Sequence, residues 1–151
     1  MADLRKKYRP DARIALLSNS TGLVYDDVVE SLHMIDLPIL KLDAGNEETF
    51  RAVNRPARSV KFDEIFEKLF SLDGIYIQTV FIDGEPSNIR KADLDDYITC
   101  VGRIKPQEVH LYSIDRPVAN TKIKLVPPEK LEKIAAKITR DTGVIARAFY
   151  G

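Results

Sequence analysis

Five short apolar runs recur along these 151 residues, and between them the hydrophobic residues return at helical spacing. The runs are Arg13 to Ser18, Pro38 to Asp43, Ile75 to Ile82, Glu108 to Ile114 and Val144 to Phe149. Their mostly continuous apolar character predicts strands covered on both faces, as in a parallel sheet. Of the helical stretches, Val28, Val29 and Leu32 follow the acidic start Asp26-Asp27, and Phe62, Ile65, Phe66, Leu69 and Phe70 lead up to Gly74. Leu94, Tyr97, Ile98, Val101 and Ile104 run to Pro106, while Leu131, Ile134, Ala135 and Ile138 lie between Pro127-Pro128 and Gly143. A shorter helix opens after Asp43-Ala-Gly-Asn46 and closes at Asn54-Arg55-Pro56. Strand alternating with helix predicts an α/β fold with right-handed crossovers and a parallel sheet. No composition break divides the chain, so residues 1–151 read as a single domain, with the last strand, beyond the Lys122-to-Pro128 crossover, free to pair elsewhere.

A closed eightfold barrel needs about 250 residues. Four or five βα units therefore make either an open sheet or part of a barrel. An arc of barrel leaves two strand edges for another chain, so self-association or docking to a complementary subunit is expected. Hydrophobic residues at 44% and charged ones at 30% fit a soluble globular protein. Lys+Arg and Asp+Glu are both 23, which removes any global attraction to nucleic acid or anionic lipid and leaves only local patches. No apolar run reaches the roughly 18 residues of a membrane helix. Met1 to Pro10 reads as a helix rather than a signal peptide, and its start methionine points to a naturally short gene and a cytoplasmic protein. The one cysteine, Cys100, excludes an intrachain disulfide and an all-cysteine metal site built by one chain.

The predicted strands empty into polar residues at their C-terminal ends, where ligands of parallel α/β folds bind. These are Ser18, Asn19 and Ser20; Lys41, Asp43 and Asn46; Gln78, Thr79, Asp83, Glu85 and Asn88; and Tyr112, Ser113, Asp115, Arg116 and Asn120. Converging on one rim, they supply carboxylates for ribose hydroxyls, amides and hydroxyls for a base, and cations for a carboxylate. Asp43 and Asn46 serve equally well as caps of the next helix. Arg55-Pro56 and Arg116-Pro117 also read as loop breaks with solvated arginines. Lys41, embedded in an apolar strand, either points to the rim or pairs with an acid such as Asp43 or Asp115. Asp83-Gly-Glu-Pro86 reads as a turn, His33 and His110 as structural, and Cys100 as a small packing residue.

Three segments together resemble a known family. They are Arg13-Ile-Ala-Leu-Leu-Ser-Asn-Ser-Thr21; Lys41-Leu-Asp-Ala44 followed by Glu47-Glu-Thr-Phe50 and Asn54-Arg-Pro56; and Val109-His-Leu-Tyr-Ser-Ile-Asp-Arg-Pro117. From about Arg13 to Thr121 the chain is similar to radical S-adenosylmethionine proteins, in particular to predicted iron-sulfur oxidoreductases related to wybutosine-type tRNA-modifying enzymes. The resemblance implies a partial (βα) barrel whose early strands carry a three-cysteine motif for a [4Fe-4S] cluster and a Gly-Gly-Glu-like segment. Neither is present, so the chain resembles the back half of such a barrel, with parallel strands inside and helices outside. By resemblance, Ser18 and Asn19 lie near the cofactor. Lys41 and Asp43 lie where the family contacts its ribose and carboxylate, Gln78 and Asn88 flank the next strand, and Tyr112, Ser113, Asp115 and Arg116 lie near adenine and substrate. Lys41 departs from the pattern, since many members have serine there.

The implied protein is a truncated or split radical S-adenosylmethionine protein, inactive alone, which binds S-adenosylmethionine and takes its cluster from a cluster-bearing partner subunit. The alternative is a non-catalytic half-barrel module that forms a homo-oligomer through its open sheet edges. A flavodoxin-like nucleotide binder is weaker, because no glycine-rich loop follows the first strand.

Overall fold

The computed structural model describes residues 2–116 and 118–150. Its chain order is α1 (Ala2–Tyr8), β1 (Ala15–Ser18), α2 (Asp26–Ser31), β2 (Leu37–Lys41), α3 (Glu47–Asn54) and α4 (Phe62–Phe70). There follow β3 (Tyr76–Val80), β4 (Ile82–Gly84), α5 (Lys91–Ile104), β5 (Val109–Tyr112), β6 (Ile123–Leu125), α6 (Pro128–Thr142) and β7 (Ala146–Ala148). Five of the strands form one parallel sheet in the order β1-β2-β3-β5-β7, and β4 pairs antiparallel with β6 in a separate ribbon. The expected α/β parallel sheet is therefore present, and its last strand joins it beside β5.

The order decides between an open doubly wound sheet and an arc of barrel. Each strand of the main sheet lies beside the one before it, so right-handed crossovers all fall on one face. A doubly wound sheet must reverse its order somewhere, and this one does not. Burial follows suit: Leu40, Ile77, Thr79, Val109 and Leu111 are buried beneath the helices. Alternate residues Ile39, Lys41, Gln78, Val80, His110 and Tyr112 are only half-buried on the opposite face. On β1 the outermost of these, Leu17, is 62% exposed. The expectation of strands covered on both faces is thus corrected. The runs read as continuous because the uncovered face also carries apolar residues, Leu17, Ile39, Tyr76 and Val80 among its polar ones.

The third predicted strand divides in two. Phe81 separates β3 from β4, and the Asp83-Gly-Glu-Pro turn forms part of the ribbon with β6, inside what reads in the sequence as a plain crossover. Gly84 sits at φ +92°, a left-handed conformation suited to glycine, with its backbone tight against Lys122.

Candidate functional site

The site begins with the uncovered face of the sheet, because parallel register lays its side chains out in rows. Leu17, Ile39 and Tyr76 form an apolar row across β1, β2 and β3. One step toward the C-terminal ends, Lys41, Gln78, His110 and Arg147 stand side by side across four strands. Glu108 binds the last two, with Oε1 at 3.3 Å from His110 Nε2 and 2.8 Å from Arg147 Nε. The next row pairs Val80 with Tyr112. Phe149 stacks on Tyr112 with ring centroids 5.2 Å apart and planes at 14°, and meets His110 edge-on at 5.1 Å.

At the C-terminal rim of this face, Gln78, Val80, Tyr112, Ser113, Asp115, Phe149 and Tyr150 line a hollow of about 320 Å³. A neighbouring hollow of about 420 Å³ shares Ser113, Asp115, Phe149 and Tyr150 and extends between β6 and α6 along Leu125, Val126 and Leu131. A further hollow, lined by Val24, Asp63, Glu64, Glu67 and Lys68, lies at α4, away from the strand ends.

Four of the expected site residues therefore meet: Gln78, Tyr112, Ser113 and Asp115. Ser113 is committed internally, since its Oγ donates to the Phe81 carbonyl at 2.9 Å and accepts from Val126 N–H at 2.8 Å. It ties the ribbon to β5. Lys41 stands beside Gln78 on the same face, its Nζ 3.0 Å from Asp43 Oδ2, so both sequence alternatives for this lysine coexist.

Asp43 and Asn88 form the support beneath. Asp43 is 3% exposed; its Oδ1 accepts from Val80 N–H at 2.8 Å and its Oδ2 from Asn54 Nδ2 at 2.6 Å. The Asn88 amide donates to the Asp43 and Val80 carbonyls at 2.8 and 2.9 Å, while its oxygen accepts from Ile82 N–H at 2.8 Å. Buried groups so fully engaged fix the strand ends rather than face the hollow. Asn54 Oδ1 is the exception, buried without a partner among the described residues. Asn46, not Asp43, caps α3, accepting from Thr49 N–H at 2.8 Å.

Ser18 and Asn19 lie at the end of β1 and are turned into their own loop. Ser18 Oγ accepts from Ser20 N–H, and Asn19 Oδ1 accepts from the Thr21 N–H and hydroxyl. Neither lines the hollow. Arg116 is exposed in the loop beyond Asp115, and its neighbour Pro117 lies outside the described residues. Phe149, Tyr150, His110 and Arg147 were missed. The signal was available, because pairing the Val144-to-Phe149 run parallel to β5 puts Arg147 and Phe149 on the same face as His110 and Tyr112.

The residues do not fit a [4Fe-4S] cluster, which requires three thiolates on one site. Cys100 is the single cysteine, and among the described residues no three His, Cys, Asp or Glu side chains come together as a metal site. Cys100 is buried on α5, its Sγ donates to the Gly45 carbonyl at 3.4 Å, and burial pushes the thiol up to about 11. Native protein at pH 8 is expected to react with a disulfide reagent at least about a hundredfold more slowly than free cysteine, and at full rate once denatured. Rapid stoichiometric labelling of folded protein would count against this packing role.

No family model matches the chain. It is 32% identical over 142 residues to the GTPase Obg of Brachyspira hyodysenteriae, a match covering 87% of this chain and 20% of that protein. It is 26% identical over 133 residues to the UPF0026 protein MJ1312 of Methanocaldococcus jannaschii, covering 82% of this chain and 39% of the other. The chain thus spans well under half the length of these relatives. Among solved structures, a domain of pyruvate-formate lyase-activating enzyme from Bacteroides vulgatus superposes with a TM-score of 0.71 and 16% identity. That superposition takes in 99% of this chain and 89% of the other, so the shared architecture is nearly the whole of both, and the likeness is one of fold.

Proposed function

We propose that this chain is one wall of an S-adenosylmethionine pocket, a half barrel that becomes catalytically complete only when a cluster-bearing partner covers its open face. The observation that carries this reading is the rim hollow. There the Gln78 amide, the Tyr112 hydroxyl and the Asp115 carboxylate, free of hydrogen bonds among the described residues, surround a pair of stacked rings. Such a set fits a nucleoside: an aromatic ring against the base, a carboxylate for ribose hydroxyls and an amide for the base edge. Lys41, one position away across the sheet, fits a carboxylate. A cluster would have to come from the partner, and S-adenosylmethionine held here would then supply the radical chemistry. The part of this chain is to bind and orient the nucleoside and, once the face is covered, to exclude water. The likeness in fold to a domain of pyruvate-formate lyase-activating enzyme agrees with this role.

The match to a GTPase gives no support for GTP hydrolysis by this chain. None of its glycines is followed by lysine, so it lacks the G-x-x-x-x-G-K-[ST] loop that cradles phosphates.

Calorimetric titration of the chain with S-adenosylmethionine should give saturable binding with Kd in the range of roughly 0.1–1 mM. Tyr112→Ala should weaken it about tenfold, the value of one base–aromatic stack. Absence of saturable heat, or binding indifferent to Tyr112→Ala, would overturn the reading. The two unpaired edges, β1 and β7, and the exposed Leu17 favour a second reading, a non-catalytic module that self-associates. A concentration-dependent dimer that Leu17→Lys abolishes, in a chain that does not bind S-adenosylmethionine, would favour it.

A further inference from the structure

The β4–β6 ribbon has two sides. Leu125 faces the hollow beside α6, while Lys124, one residue earlier, faces the other way into a separate hollow of about 480 Å³ lined by Gly84, Glu85, Arg90, Lys122 and Lys124. Nothing in the rim site uses this space. Its charges do not balance. Lys122 Nζ pairs with Glu85 at 3.0 Å, and the nearby Asp83 carboxylate is taken by Lys130 at 3.0 Å. Arg90 and Lys124 form no ion pair among the described residues.

Two like charges line one hollow, and the backbone that carries them is pinned. Glu85 N–H donates to the Lys122 carbonyl at 3.1 Å, Lys122 N–H to Asn120 Oδ1 at 3.0 Å, and Asn120 Nδ2 to the Glu85 carbonyl at 3.0 Å. A Cβ added at Gly84 would sit 2.0 Å from the Lys122 carbonyl oxygen, so the ribbon closes there without slack. Arg90 is held at the start of the 14-residue helix α5, where a cation is the disfavoured sign. Asp93, the acid of the first turn, instead accepts from Thr49 Oγ1 at 2.7 Å. An anion in the hollow would offset both cations at once.

We propose that this hollow binds the terminal phosphate of a small phosphorylated ligand. After Glu85 is set against Lys122, Arg90 and Lys124 leave two positive charges, which match a phosphate monoester of about −1.5 to −2 better than the single charge of a diester. The arginine offers paired donors to two phosphate oxygens and the lysine a point charge. The site is independent of the rim, since S-adenosylmethionine carries no phosphate and the rim hollows lie on the other side of the ribbon.

The test is an amide NMR titration of the chain at low salt with inorganic phosphate, dimethyl phosphate and acetate at matched ionic strength. Phosphate is expected to shift Gly84, Lys91 to Asp93 and Lys122 to Lys124 saturably, with dimethyl phosphate and acetate at least about tenfold weaker. Lys124→Gln and Arg90→Gln, both at exposed positions, should each weaken phosphate about tenfold with a thermal midpoint no lower than wild type. No saturable shift, equal response to the diester or to acetate, or unchanged affinity in both variants overturns the proposal.

Discussion

Gly45→Ala is expected to destabilise the protein by about 3–5 kcal/mol, a large part of the ~5–15 kcal/mol available to a domain of this kind. The loop after β2 brings Gly45 against the backbone of α5, where an added Cβ would lie 2.2 Å from Tyr97 N, 2.3 Å from Asp96 C and 2.6 Å from Tyr97 Cα. These are helix main-chain atoms, so no side chain can swing aside. Relief requires lifting the loop from α5, and with it go bonds that join the loop and the first turn of α3 to that helix. Asn46 Nδ2 donates to Asp96 Oδ2 at 2.7 Å, Thr49 Oγ1 to Asp93 Oδ1 at 2.7 Å, and Cys100 Sγ to the Gly45 carbonyl. Overpacking alone costs about 1–3 kcal/mol, and each lost hydrogen bond adds about 0.5–1.5 kcal/mol. Gly74 is the control: its φ of +72° is strained for alanine, but nothing lies within 4 Å of an added Cβ. Gly74→Ala should cost only about 1–2 kcal/mol. Guanidinium unfolding of both variants checks the contrast, and a Gly45→Ala chain within about 1 kcal/mol of wild type would show that loop and helix do not pack this closely.

Elements and their order were legible in the sequence because helix period and apolar runs are local signals. The Phe62-to-Phe70 stripe, the Pro127-Pro128 start and Gly143 end of α6, and the Asn46 cap all appear where the residues place them. Coverage of the sheet was not legible. Ile39, Tyr76 and Phe149 put apolar residues on the open face between Lys41, Gln78, His110 and Arg147, and only strand order reveals that no helical layer lies over it among the described residues. The ribbon was missed for a related reason. Three-residue strands leave no periodicity, and Ile82–Gly84 finds its partner some forty residues later. Residue type marked the strand ends but did not separate a group that faces the hollow from one that supports it. Gln78 and Asp115 open into the hollow, whereas Asp43 and Asn88, equally polar and in the loops beyond the strands, are turned inward and consumed. That difference depends on partners distant in sequence, Asn54 and Val80 above all.

Asp43→Ala tests that division between lining and support, and should cost about 3–4 kcal/mol, measured as a lower guanidinium midpoint at neutral pH. The substitution strips acceptors from Val80 N–H and Asn54 Nδ2, and each buried donor left unpaired costs about 1–3 kcal/mol. Lys41 also loses its partner, but its side chain is 33% exposed and can reach water, so its share is small. Asp43→Asn keeps the shape and one acceptor oxygen, yet turns an amide donor toward Lys41 and Asn54; a loss of about 2 kcal/mol is expected. Adding Lys41→Met to Asp43→Asn should recover part of that loss by removing the cation that faces the new donor. If Asp43 instead served a ligand directly, Asp43→Ala would unfold near the wild-type midpoint while binding of S-adenosylmethionine collapsed. The structure favours the opposite pattern, because both carboxylate oxygens already hold donors from the chain itself. Stability should fall first, and binding should weaken only as far as Lys41 and the end of β3 shift out of register with the hollow.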